Sequence, residues 1–216
     1  MTAQGLFIVF EGGDAVGKTT QVAWLAAALR QAGLPHVVTF EPGATWLGTR
    51  VRDLVLNPAS GPICPPAEAL LYVADKAQHV AEVIKPAMER GAVVVSDRYT
   101  DSVIAYQGAG RELDADEIER LATWATNGLL PDLTVVLDAD PDAAVAGITS
   151  KDRLEGAGLD LHRRARQRFL DLAARDANRY LVLPARDRQA SIAAAVRQRL
   201  AACGLTLSAP RGMMDA

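Results

Sequence analysis

Residues 12–19 read Gly-Gly-Asp-Ala-Val-Gly-Lys-Thr, a spacing with an obvious chemical use. Glycines at its ends let the backbone curl until its N–H groups point inward at anionic oxygens. Lys18 brings a charge that reaches the β- and γ-phosphates of a triphosphate, and Thr19 brings a hydroxyl that can ligate Mg²⁺. Gly12, Gly13, Asp14, Ala15, Val16, Gly17 and Thr20 complete the cradle, and the positive end of a following helix adds to it. Such a loop holds a triphosphate without saying where the γ-phosphate goes.

A second cluster, Asp97-Arg98-Tyr99, bears on that question. Asp97 is suited to the water shell of Mg²⁺, and the Arg98 guanidinium can grip a phosphate through two parallel hydrogen bonds. A second phosphate-binding cation opposite the loop points to a phosphorylated acceptor in place of water.

These residues need a scaffold that brings distant segments together. Continuously apolar runs read as strands at 6–10, 36–40, 92–96, 133–137 and 180–183. Helical patterns follow at 19–31, within 43–57, and at 66–90, 102–107, 114–127, 159–177 and 189–203. Apolar strands alternating with helices imply an α/β fold, a five-stranded parallel sheet covered on both faces. Ligands then bind beyond the carboxyl ends of the strands. The loop, Glu41-Pro42-Gly43, Asp97-Arg98-Tyr99 and Asp138 each follow a strand. The expected organisation is one domain over 1–207 with a lid near 142–155 and a tail over 208–216.

The chain has 216 residues, half of them hydrophobic, and a net charge of −3. That charge argues against a nucleic-acid backbone as partner. Two distant cysteines, Cys64 and Cys203, form no disulfide framework or zinc pattern, and the three histidines lack ligand spacing. No apolar run reaches the ~18 residues of a membrane span. A cytoplasmic location is expected.

With those motifs in hand, the chain resembles the bacterial thymidylate kinases over roughly residues 7–200. The resemblance rests on the phosphate loop, Glu41-Pro42-Gly43 with Gly48 and Arg52, and "LLYVADKAQHV" from Leu70. It continues through "DRYTDSVIAYQG" from Asp97, "PDL" from Pro131, "VVLDADP" from Val135 and "DRLE" from Asp152. It implies transfer of a phosphoryl group from ATP, with Mg²⁺ on Thr19 and Asp97, to dTMP. It also assigns roles. Asp14 would hold the sugar 3′-hydroxyl, Arg98 the acceptor phosphate with Arg52 nearby, and Tyr72 the face of the base. Tyr106 would sit near the 2′ carbon, and Ser102 and Gln107 would face the base or its neighbouring water. Glu41 and Lys76 would belong to the same substrate site, and two copies would form a homodimer.

Two positions and the lid depart from the family pattern. Lys76 and Phe40 stand where arginine is frequent, which keeps a kinase for dUMP or a 5-substituted dUMP as an alternative. Ala15 and Val16 leave the loop without an arginine, so the lid must supply the cation. It offers Lys151 and Arg153, and Arg153 is the expected catalytic arginine. A lid with few cations keeps open a weakly catalytic nucleotide-binding paralogue.

Overall fold

The computed structural model describes residues 5–145 and 152–210. Five parallel strands form one sheet in the order β2-β3-β1-β4-β5. They are β1 (Phe7–Gly12), β2 (His36–Phe40), β3 (Val93–Asp97), β4 (Leu133–Asp138) and β5 (Tyr180–Pro184). The helices are α1 (Lys18–Gln31), α2 (Trp46–Leu56), α3 (Pro65–His79), α4 (Lys85–Glu89) and α5 (Thr100–Val103). The series continues with α6 (Ala115–Ala125), α7 (Pro141–Val145), α8 (Leu159–Arg175) and α9 (Gln189–Ala202). The expected α/β fold is present, and every expected strand is found within two residues of its predicted ends.

Burial on both faces explains why the strands are apolar throughout. Side chains alternate across a strand. Ile8 and Phe10 pack with Leu25 and Leu29 of α1 and Val196 of α9. Phe7 and Val9 face the other way, onto Ala87 and Met88 of α4 and onto Tyr99. A third cluster joins α3, α6 and α8 around Tyr106 and Phe169.

Register aligns the strand ends that carry chemistry. Phe10 lies beside Asp97, Gly12 beside Leu137, and Phe40 beside Asp97 from the other side. The chain leaves β1 toward β2 on one side and reaches β4 on the other, so a crevice opens above β1.

Two helices depart from their expected form. The single helix expected over 66–90 is α3, a wide π-helical turn at Val80–Ile84, and α4. Pro86 lacks the N–H that would bond four residues back, and the ladder is reorganised just before it. The helix expected over 102–107 is α5 followed by a π-helical stretch at Ile104–Gly110. Such widened turns redirect side chains and recur at functional sites. The short α7 has no counterpart in the sequence reading. Residues 146–151 of the expected lid, including Lys151, and residues 211–216 of the expected tail lie outside the described residues.

The face between α1 and the sheet sets stability independently of the crevice. Leu29 is fully buried there. Leu29→Ala is expected to destabilise the fold by about 3 kcal/mol through lost burial and a residual cavity. Urea unfolding measures this, and affinity for a triphosphate should be unchanged.

Candidate functional site

The loop from Gly12 to Thr19 leaves β1 and enters α1 through Gly17, whose φ is 92°. Gly12 has φ 130°, and a Cβ there would lie 2.4 Å from the Leu137 carbonyl oxygen, so the close β1–β4 pairing requires glycine. Ala15 is left-handed at φ 57°. The Lys18 ammonium is folded back into the loop, donating to the carbonyls of Gly13 and, at 3.3 Å, Gly12. Burial, and then the nearby Arg98 charge, lower its pKa from 10.5 to about 8. Thr19 Oγ1 donates to Asp97 Oδ2 at 2.7 Å. These two oxygens are hard ligands of the kind Mg²⁺ takes alongside phosphates and water.

Arg98 donates to the same Gly12 carbonyl. Its Nη1 donates to Gly12 O and to Ser102 Oγ, each at 3.0 Å, and its Nη2 donates to Asp14 Oδ1 at 2.5 Å. Its backbone is left-handed at φ 74°, a conformation disfavoured for a residue with a side chain. Burial works against its charge, but Asp14, Tyr106 and Glu11 outweigh it and hold the pKa above the ordinary value. Burial likewise opposes ionisation of Asp14, yet Arg98 and Lys18 keep its pKa below the usual carboxylate value. The Tyr106 hydroxyl donates to Asp14 Oδ2 at 3.1 Å.

Beside this cluster lies a cleft of ≈ 690 Å³, counting the space open to solvent at its mouth. Asp14, Arg98, Ser102 and Tyr106 line its phosphate-loop end. Arg52, Tyr72, Lys76, Gln107 and Glu41 line the rest. The structure therefore gathers every residue expected to hold the acceptor into one cavity. Arg52 is oriented by its hydrogen bond to Pro42 O at 2.8 Å and lies over the Phe40 ring.

Glu41 lines the cleft with both carboxylate oxygens already engaged. Lys76 Nζ donates to Glu41 Oε2, and His79 Nδ1 lies 2.7 Å from Glu41 Oε1, with Thr39 Oγ1 2.6 Å from the other ring nitrogen. Burial opposes the Glu41 charge, but Lys76 and His79 outweigh it and lower its pKa. Glu41 thus serves as the counter-ion that allows Lys76, 1% exposed, to remain in the wall.

One expected residue is elsewhere. The structure does not bring Arg153 to the phosphate loop. Its guanidinium donates to Glu68 and to Val55 O at 3.0 Å, against α3 and the end of α2. Conversely, sequence reasoning passed over Glu11, Glu68, His79 and His162. Glu11 accepts from Tyr99 N at 2.8 Å, Ser102 N at 3.2 Å and Ser102 Oγ at 2.6 Å. Burial, then Asp101, push its pKa up to about 7. His162 Nδ1 lies 3.9 Å from Asp14 Oδ2, with its ring edge-on to Tyr106. A polar residue inside an apolar strand was the available signal for Glu11; the others carry none that spacing reveals.

The chain matches the family described as thymidylate kinase over residues 10–196. It is 61% identical over 165 residues to the thymidylate kinase of Cutibacterium acnes, covering 76% of this chain and 81% of that protein. It is 46% identical over 169 residues to that of Carboxydothermus hydrogenoformans, covering 77% and 83%. The crystal structure of thymidylate kinase from Ehrlichia chaffeensis superposes with a TM-score of 0.76 at 30% identity, covering 92% of this chain and 99% of that one.

The lowered pKa of Lys18 predicts two opposite pH effects. The free protein loses the Lys18 charge above about pH 8, so triphosphate affinity should weaken there, approaching tenfold per unit. Between about 8 and 10.5 the unfolded chain binds the proton that the folded chain releases, so this group's contribution to stability rises with pH. Titration calorimetry and thermal melting from pH 7 upward measure both.

Proposed function

The chain belongs to the thymidylate kinase family, and on that premise we propose how its residues divide the work of moving a phosphoryl group from ATP to dTMP. The transfer itself is the family's reaction, and this chain is an ATP-dependent nucleoside monophosphate kinase. Our assignment places the ATP phosphates in the Gly12 to Thr20 loop and dTMP in the adjoining cleft.

One observation carries the assignment. Lys18 and Arg98 both donate to the carbonyl oxygen of Gly12. An ammonium and a guanidinium that converge on one atom can bring two phosphates together beside it. Lys18 exchanges its loop carbonyls for phosphate oxygens of ATP. Arg98 holds the dTMP phosphate and, being anchored by Asp14 and Ser102, presents it without reorganisation. Asp14 keeps its charge and accepts from the sugar 3′-hydroxyl, and Tyr106 closes the space beside the 2′ carbon. Tyr72 covers the base, with Lys76, Ser102 and Gln107 at its edges and Arg52 toward the phosphate.

Thr19 and Asp97 would hold Mg²⁺, which supplies charge neutralisation to the phosphates when bound. Arg153 acts in the cleft wall in this assignment, and Lys18 and Arg98 are the catalytic cations. A cytoplasmic location fits a pair of phosphorylated metabolites as substrates. No helix among the described residues is long and apolar enough to cross a membrane.

We also propose a homodimer. An apolar groove between α3 and α6 is bordered by Leu70 and Trp124, which are 56% and 77% exposed. A second copy of the same helix pair, related by a two-fold axis, would cover both. Sedimentation of the wild type should give a dimer, and Trp124→Glu should shift it toward monomer; a wild-type monomer overturns the proposal.

The acceptor assignment is tested by ADP release from ATP and Mg²⁺ with dTMP, dUMP, dCMP, UMP or no acceptor. Release dependent on dTMP is expected. Turnover with dUMP in preference would instead make Lys76 and Phe40 specificity changes. Arg98→Ala should lower kcat/KM for dTMP by about 10³-fold, the scale of losing a preorganised charge at the reacting group. ATP affinity should change far less, and an equal loss for both substrates would overturn the division of roles.

A further inference from the structure

We infer that Glu68 is a positioning residue for the acceptor cleft, a buried carboxylate that ties its four walls together. The inference rests on assigning that cleft to dTMP. The walls are α2 through Arg52 and Leu56, α3 through Tyr72 and Lys76, the Ile104–Gly110 turn through Tyr106 and Gln107, and residues 152–154.

Glu68 itself does not line the cleft. It sits on α3 one turn before Tyr72 and is 1% exposed. Its Oε1 accepts from Gln107 Nε2 at 3.2 Å and Arg111 Nε at 2.9 Å. Its Oε2 accepts from Arg111 Nη2 at 3.1 Å and from Arg153 Nη2. The first three bonds tie α3 to the Ile104–Gly110 turn and the residue after it.

Arg153 extends the knot to the other two walls. Its backbone N donates to Leu56 O and its Nε to Val55 O, both at 3.0 Å. Those carbonyls belong to the last turn of α2, where no intrahelical donor is available and a cation is favoured. Residues 152 and 154 flank Arg153 and face the cleft. Thus α2, the 152–154 segment and the turn holding Gln107 all reach α3 through one side chain.

The charges make this more than packing. One carboxylate holds two guanidiniums, which would repel each other without it. Neutralising Glu68 therefore pushes two walls outward, whereas the phosphate loop is held by β1 and α1 and makes no hydrogen bond to Glu68. A displacement on the order of 1 Å in substrate-positioning groups costs as much as about 10²-fold in rate. The damage should fall on dTMP and spare ATP.

The experiment is steady-state kinetics of Glu68→Gln, Arg153→Gln and the double variant, with thermal melting. Glu68→Gln is expected to raise KM for dTMP about tenfold while KM for ATP stays within about twofold. The double variant should cost no more than the worse single variant, because the two act through one contact. Equal rises in both KM values, or a lowered Tm with an unchanged dTMP KM, would reduce Glu68 to a packing residue and overturn the inference. Should Glu68→Gln fail to fold, Arg153→Gln, which leaves the Arg111 pair intact, must show the same split, and its absence overturns the proposal. Wild-type protein run alongside separates the two readings. Wild type without dTMP-dependent turnover overturns the acceptor assignment, whereas a wild-type-like dTMP KM in the variants overturns the role of Glu68.

Discussion

Two buried cations share one carbonyl oxygen, and most of the molecule is arranged to permit it. Lys18 and Arg98 both donate to Gly12 O. Like charges in a desolvated site raise each other's free energy, which is why Arg98 adds to burial in pulling the Lys18 pKa down. Asp14 is a counter-charge they hold in common, partly committed to Tyr106, and Glu11 and Asp97 act on both cations as well. Electrostatic stabilisation of this kind is effective because the donors are already in place before the reaction.

Keeping the pair in place has structural costs at specific positions. Gly12 must lack a side chain because β4 runs too close. Arg98 accepts a left-handed backbone at the end of β3 so that its side chain turns back over β1. Glu11 holds the backbone of Tyr99 and both the backbone and hydroxyl of Ser102, so the residue that supports Arg98 is itself supported. Glu41 does the same for Lys76. Acidic side chains buried beneath the cleft thus support the residues that line it, and each is offset by hydrogen bonds that make its burial tolerable.

Legibility differed sharply between residues. Lys18, Thr19 and Gly12 are close in sequence, and local spacing alone announces their chemistry. Arg98 and Asp97 were legible because they end an apolar run, where the topology of a parallel sheet places ligands. Tyr72, Tyr106 and Gln107 were legible only through resemblance, since an aromatic on a helix reads equally well as core. The surroundings of Arg153 were not legible, for a physical reason. A cation near an expected lid looks available for phosphates, but its nearest acceptors are the terminal carbonyls of α2 and a carboxylate on α3, 85 residues away in the chain. Glu68 was invisible for the same reason, because its partners come together only when α3 packs against the turn after α5. The π-helical turns were missed because the apolar spacing around them still reads as helix, although Pro86 marks one of them.

The sequence by itself determined the alternation of strands and helices, the phosphate loop and the side of the sheet on which chemistry occurs. Each follows from interactions over a few residues or from the apolar period of one element. Only the tertiary structure decided which charges pair. Coulomb and hydrogen-bond energies depend on distances of a few ångströms between residues far apart in the chain, such as Asp14 with Arg98 and Glu68 with Arg153. Those distances exist only once the strands have taken their register and the helices have packed.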